Sequence, residues 1–167
     1  MAKKNVSVLP LKPLDISAYE KLAVEGKNSS YFQFLGGSSL SKEDLVVDAS
    51  NTKTRISLVR DGGKVVGCVK LGPRRLENNQ ETLHIYITDP SKKNRTLFYD
   101  VLVKIVDTLF NEQQTTKIVA TFFKYEDHLR QLFSDIGFQQ EVVMTEHFYS
   151  RGVYETVLLF GLIKEDL

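Results

Sequence analysis

Residues 81–110 read Glu-Thr-Leu-His-Ile-Tyr-Ile-Thr-Asp-Pro-Ser-Lys-Lys-Asn-Arg-Thr-Leu-Phe-Tyr-Asp-Val-Leu-Val-Lys-Ile-Val-Asp-Thr-Leu-Phe, and the hydrophobic period changes within them. From Glu81 to Thr88, Leu83, Ile85 and Ile87 alternate with His84, Tyr86 and Thr88, which predicts a strand stopped by Asp89-Pro90. From Thr96 to Phe110 the apolar residues Leu97, Phe98, Val101, Leu102, Ile105, Val106, Leu109 and Phe110 follow a helical spacing, which predicts an amphipathic helix of about four turns. A buried-type strand, Lys117–Phe123, comes next. A helix over Glu126–Asp135 follows, with Leu129, Leu132, Phe133 and Ile136 facing inward and Gly137 suited to its C-terminal cap. A strand–helix–strand segment favours parallel pairing with a right-handed crossover.

The rest of the chain adds antiparallel elements. Gln139–Tyr149 and Tyr154–Ile163 are two strands joined by Ser150-Arg151-Gly152-Val153. Upstream, Thr54–Arg60 and Lys64–Leu71 flank the turn signal Asp61-Gly62-Gly63. Asn5–Leu11 reads as a first strand, ended by Pro10 and Pro13. Asp15 is placed to cap a helix through about Gly26, with Ile16, Tyr19, Leu22 and Ala23 on one face. Ser41, with Asp44 three residues on, opens a helix through Ala49. Lys27–Ser39 reads as a loop whose aromatics, Tyr31, Phe32 and Phe34, are either tucked beneath the domain or lining a cleft. The whole predicts an α/β (α+β) fold: one domain over residues 1–167, a mixed central sheet, and helices on both faces.

Composition narrows the function. The 167 residues are 42% hydrophobic and 26% charged, with a net charge of +1. That balance argues against disorder and against a chain-wide electrostatic partner such as nucleic acid. The single cysteine, Cys68, lies in an apolar run and reads as a buried thiol. His84, His128 and His147 show no metal-ligand spacing, so no metal site is expected. No run approaches a membrane span, and Met1-Ala2-Lys3-Lys4 is not followed by an apolar leader. A cytoplasmic protein is the expectation.

Two stretches resemble a known family. Leu132-Phe133-Ser134-Asp135-Ile136-Gly137-Phe138 is similar to the helix end written L-Y-E-K-L-G-F in the GNAT superfamily of N-acetyltransferases. Glu146–Leu162 resembles the last hairpin of members that acetylate protein N-termini, ribosomal proteins among them, or small amines. The order of elements resembles that superfamily along nearly the whole chain.

The resemblance implies that acetyl-CoA lies in a wedge between Glu81–Thr88 and Lys117–Phe123. Its pantetheine would be held by Tyr86, Ile87 and Thr88, and its pyrophosphate by the segment Lys92, Lys93, Asn94, Arg95, Thr96, Leu97 and Phe98. The family's loop there is usually Gln or Arg, two residues, Gly, one residue, then Gly or Ala. Here Lys93 takes the first position, Thr96 replaces the first small residue and Phe98 the second. Phe98 either crowds the pyrophosphate or points into the core. Lys92, Lys93 and Arg95 cluster at a helix N-terminus, where a bound anion would relieve their conflict with the dipole. Many members carry a Tyr, as general acid, where this chain has Phe133.

Candidates for proton transfer are Glu81, His84 and Glu126, with Tyr125 and His128 near the last. The implied activity is acetyl transfer from acetyl-CoA to an amine of a small molecule or protein N-terminus. The alternatives are a GNAT-fold module without turnover, favoured by the missing glycines and Phe133, and use of another acyl-CoA. Hairpins of this kind pair between subunits, so a homodimer is among the expectations.

Overall fold

The computed structural model describes residues 6–166. The strands are β1 (Val6–Pro10), β2 (Arg55–Asp61), β3 (Lys64–Leu71), β4 (Gln80–Ile87), β5 (Lys117–Phe123), β6 (Gln139–Ser150) and β7 (Val153–Ile163). The helices are α1 (Ile16–Glu25), α2 (Ser30–Gln33), α3 (Lys42–Ala49), α4 (Lys92–Asn111) and α5 (Asp127–Ile136). The strands form one sheet in the order β1-β2-β3-β4-β5-β7-β6. Only β4 and β5 are parallel; the other neighbours are antiparallel.

Side-chain alternation gives the sheet two faces with separate cores. Leu83, Ile85 and Ile87 of β4 join Ala120 and Phe122 of β5 and Leu158, Phe160 and Leu162 of β7 beneath α4 and α5. Ile56, Leu58, Cys68 and Tyr86 join Tyr19, Leu22, Tyr31, Phe32 and Leu45 beneath α1, α2 and α3. Cys68 is the buried thiol expected; burial above all pushes its pKa up to about 12.

Several local expectations change. The helix expected from Thr96 begins four residues earlier, at Lys92, so the supposed pyrophosphate loop is the opening of α4. The apolar period that locates a helix cannot register a polar first turn. The Asp15 side chain does not cap α1; its carboxylate takes the Lys12 amide at 3.2 Å and pairs with Arg60 at 3.1 Å. Ser41 and Asp44 do form the expected reciprocal cap of α3. The Lys27–Ser39 loop contains α2, whose Tyr31 and Phe32 are buried. The strand expected from Glu81 begins one residue earlier, at Gln80, and Glu81 is paired with Ile118 and 1% exposed. Tyr149 and Tyr154, on either side of the last hairpin turn, lie on the surface ring against ring at 5.1 Å. The Asn5 end of the first strand lies outside the described residues.

Candidate active site: a fork in the sheet

The parallel seam is short. Gln80, Glu81, Thr82 and Leu83 of β4 pair with Lys117, Ile118, Val119 and Ala120 of β5, and there the ladder ends. Beyond Leu83 the two strands diverge, each still held by its outer neighbour: β4 by β3 as far as Ile87, β5 by β7 as far as Phe123.

The register decides which backbone groups face the fork. The Thr88 amide donates to the Val66 carbonyl at 3.1 Å and the Gly72 amide to the Thr82 carbonyl at 2.8 Å. Even-numbered residues of β4 therefore bond to β3, and odd-numbered ones turn their N–H and C=O toward β5. Past the last pair, Ile85 and Ile87 have no partner strand on that side. Buried backbone groups without partners are rare in folded proteins, and both residues are 3% exposed. Of the three expected pantetheine contacts, only Ile87 offers its backbone to the fork; Tyr86 and Thr88 are bonded to β3. Ile85 belongs with Ile87 and was not among the expected contacts. The signal that finds it is strand register, which one sequence does not supply.

At the wide end of the fork α4 begins. Ser91 stands at its N-cap without a side-chain cap bond, and the first helical bond is from the Arg95 amide to the Ser91 carbonyl at 2.9 Å. The amides of Lys92, Lys93 and Asn94 precede that bond and lack intrahelical acceptors. The Asn94 side chain turns back to the Asp89 carbonyl at 2.9 Å, and the Lys93 ammonium pairs with Asp61 at 2.6 Å. Thr96 donates its hydroxyl to the Lys92 carbonyl at 3.0 Å. Leu97 and Phe98 are buried on the core side of α4. Phe98 thus points into the core, the second of its two expected placements.

The proton-transfer candidates are not gathered together. Glu81 lies at the closed end of the seam, where it accepts from Arg55 at 3.4 Å. Burial raises its pKa, and Arg55 and Arg74 oppose that. Glu126 is at the fork, but its carboxylate is occupied: it accepts the Phe123 amide at 2.9 Å and the Ser30 amide at 3.2 Å. Burial raises its pKa despite these bonds. Tyr125 donates to the Asn28 carbonyl at 2.6 Å, and burial raises its pKa to about 12. The pKa of His128, on α5, is lowered by burial. Phe133 is a core residue stacked on Phe122 at 5.5 Å.

His84 is the candidate that sits in the fork, the first residue after the last parallel pair. Its ring lies on the α2 face. Burial, and then the Lys70 cation opposite it on β3, lower its pKa to about 4, against the contrary effects of Asp48 and the Thr121 backbone. It is therefore uncharged at neutral pH and a weak base. Phe34, at the end of α2, bridges the diverging strands on this face. Its ring centroid is 6.2 Å from that of His84 on β4, 5.2 Å from Phe123 on β5 and 5.1 Å from Phe148 on β6.

No family model matches the chain, and no curated protein matches its sequence. Solved structures do share its fold. A structure described as a probable acetyltransferase superposes with a TM-score of 0.80 at 13% identity, covering 100% of this chain and 97% of that one. The ribosomal L7/L12 alpha-N-protein acetyltransferase RimL, in complex with coenzyme A, gives 0.79 at 12% identity, covering 100% and 98%. Spermidine N-acetyltransferase from Vibrio cholerae, in complex with CoA and spermine, gives 0.77 at 18% identity, covering 96% of each chain. The chain has the fold of the GNAT superfamily N-acetyltransferases.

Proposed function

We propose that this protein is an acetyl-CoA-dependent N-acetyltransferase acting on an amine. The observation that carries the reading is the fork: a parallel ladder ending at Leu83 and Ala120, with the backbone of Ile85 and Ile87 turned toward the gap. The Ile85 and Ile87 groups suit the amides of a pantetheine arm and the carbonyl of a thioester. The Lys92, Lys93 and Asn94 amides, with the dipole of α4 behind them, suit the pyrophosphate, and the Lys92 and Arg95 side chains add positive charge. Replacement of the family's glycines does not close this site, because Phe98 is housed in the core. Two solved neighbours described in complex with coenzyme A are N-acetyltransferases.

In the reaction the amine nitrogen bonds to the acyl carbon, the carbon–sulfur bond breaks and the coenzyme leaves as thiolate. The nitrogen gives up a proton to water at the open mouth. Holding the amine beside the thioester supplies much of the rate. His84 is too weak a base to take the proton from an alkylammonium, so it serves to orient the acceptor. A homodimer would use β6, the edge strand of the last hairpin.

A thermal-shift titration with acetyl-CoA tests the reading. Ligand binding the native state alone at 100 times Kd adds about 2.7 kcal/mol. A clear upward shift together with release of free thiol in the presence of an amine is expected. No shift at millimolar acetyl-CoA would overturn it. The second reading, a binding module, is favoured by Phe133, which offers the departing thiolate no proton. It predicts the shift without thiol release from any amine.

A further inference from the structure

A cavity of about 790 Å³ lies away from the fork, between α4 and the β1–β2 edge of the sheet. None of its described lining residues belongs to β4 or β5. Its size is that of a small-molecule site, typically about 300–1,000 Å³. The walls follow from the sequence. Val6, Val8 and Pro10 are alternate residues of β1, an edge strand, and all three line the cavity. Opposite them, Val101, Ile105 and Leu109 recur every four residues along α4. Val101 and Leu109 are buried, but Ile105 is part-exposed and Val8 is 37% exposed. The result is an apolar trench that no described element covers.

One end of the trench is polar and fixed. Arg55, on its wall, donates to the Gln113 side-chain oxygen at 3.1 Å and to the buried Glu81 carboxylate at 3.4 Å. Both bonds use Nη2. Among the described residues Nη1 and Nε have no acceptor, so one edge of a held guanidinium is free for a planar oxyanion. The charges set the valence of that anion. Arg55 and Arg74 act on the single Glu81 carboxylate, which leaves one positive charge in excess. The other charged residues on the wall, Asp100 and Lys104, stand one turn apart on α4 and cancel. A monoanion balances the site; a cation would meet an excess of its own sign, and a dianion would leave a charge unmatched.

We propose that this trench binds a medium-chain aliphatic monocarboxylate, its carboxylate on the free edge of Arg55 and its chain between β1 and α4. From Val101 to Leu109 the apolar row covers about 12 Å of helix axis, which an extended chain of about ten carbons matches. The inference is independent of the acetyltransferase reading, because the trench and the fork share no described residue of β4 or β5.

The test is calorimetric titration of the whole chain with decanoate, decanol and decylamine, below the concentrations at which they form micelles. One decanoate per chain is expected, bound at least tenfold more tightly than decanol or decylamine. Arg55→Gln should weaken decanoate about tenfold and leave decanol unchanged. Val8→Asp should weaken both. Should Arg55→Gln fail to fold, the preference for decanoate over decanol and the Val8→Asp variant carry the test. Backbone NMR should place the shifts on Val8, Arg55, Val101 and Ile105. Equal affinity for the three ligands, indifference to both variants, or shifts confined to Ile85 and Ile87 would overturn the inference. So would self-association that Val8→Asp abolishes, which would make the trench an interface between copies of the chain.

Discussion

A Cβ added to Gly67 would lie 2.6 Å from the tip of the Phe98 ring and 2.1 Å from the Tyr86 carbonyl oxygen. The two positions are complementary. A phenyl ring stands at position 98, and the space for that ring comes from a glycine on β3. Gly67→Ala must displace either the ring or the backbone of β4, so a loss of ~3 kcal/mol or more is expected in urea unfolding. Phe98→Ala leaves a buried cavity and should cost ~3–5 kcal/mol. Because the ring points into the core, neither variant should tighten acetyl-CoA. A gain in affinity from Phe98→Gly would return Phe98 to the pyrophosphate path.

Hydrogen exchange should display the fork residue by residue. The amides of Tyr86 and Thr88 are bonded to β3, whereas those of Ile85 and Ile87 face the gap. An alternating pattern along β4 is expected by NMR, with Ile85 and Ile87 faster than their neighbours. Saturating acetyl-CoA should slow those two amides selectively. Uniform protection along β4 in the unliganded protein would mean that the fork is closed.

Glu126 ties the end of β5 to the start of α2. Glu126→Ala leaves the buried amides of Phe123 and Ser30 without their acceptor, and a loss of ~2–4 kcal/mol is expected. The same change releases α2 and with it Phe34, so the KM for the acceptor should rise more than the KM for acetyl-CoA. Equal change in both would assign Glu126 to general stability only.

His84 gives the protein a pH signature. Its pKa falls from 6.5 in the unfolded chain to about 4 in the folded one. Between those values the unfolded state binds more protons, so stability falls as pH drops from about 6.5 toward 4. That gap corresponds to ~3 kcal/mol at its fullest. His84→Gln should flatten this part of the curve in urea unfolding; other groups, His128 included, cancel in the comparison with the native protein. The activity profile should behave differently. With His84 uncharged above pH 6, kcat/KM should rise with the ionisation of the acceptor amine and show no inflection near 6.5. An inflection there that disappears in His84→Gln would make His84 the base.

The elements were legible in the sequence where periodicity is strong. Leu83, Ile85 and Ile87 fix β4 and its faces; Leu97 through Phe110 fix α4; Gly137 marks the end of α5, where its φ is 114°. What failed was local chemistry without period. Lys92 to Thr96 carry no hydrophobic spacing, so the first turn of α4 looked like a loop. Asp15 precedes α1 as a cap should, yet Arg60, distant in sequence, claims its carboxylate. The site was legible only in outline. Strand order locates the fork, but Ile85, Phe34 and Phe123 become site residues through register and packing across the sheet. Glu126 looked like a base because it opens a helix beside a strand end, and only its two amide partners reveal the tether.

The two cores lie on opposite faces of the sheet, and the fork opens between β4 and β5 in that sheet. On the proposed reading the coenzyme approaches from the α4 face and the acceptor from the α2 face, so they never share a doorway. Neither obstructs the other's arrival or departure. Initial-rate lines for the two substrates should therefore intersect, as they do when both must be present together, and no acetylated form of the protein should accumulate. Each product should inhibit competitively against the substrate that uses its own doorway, which marks a random order of addition.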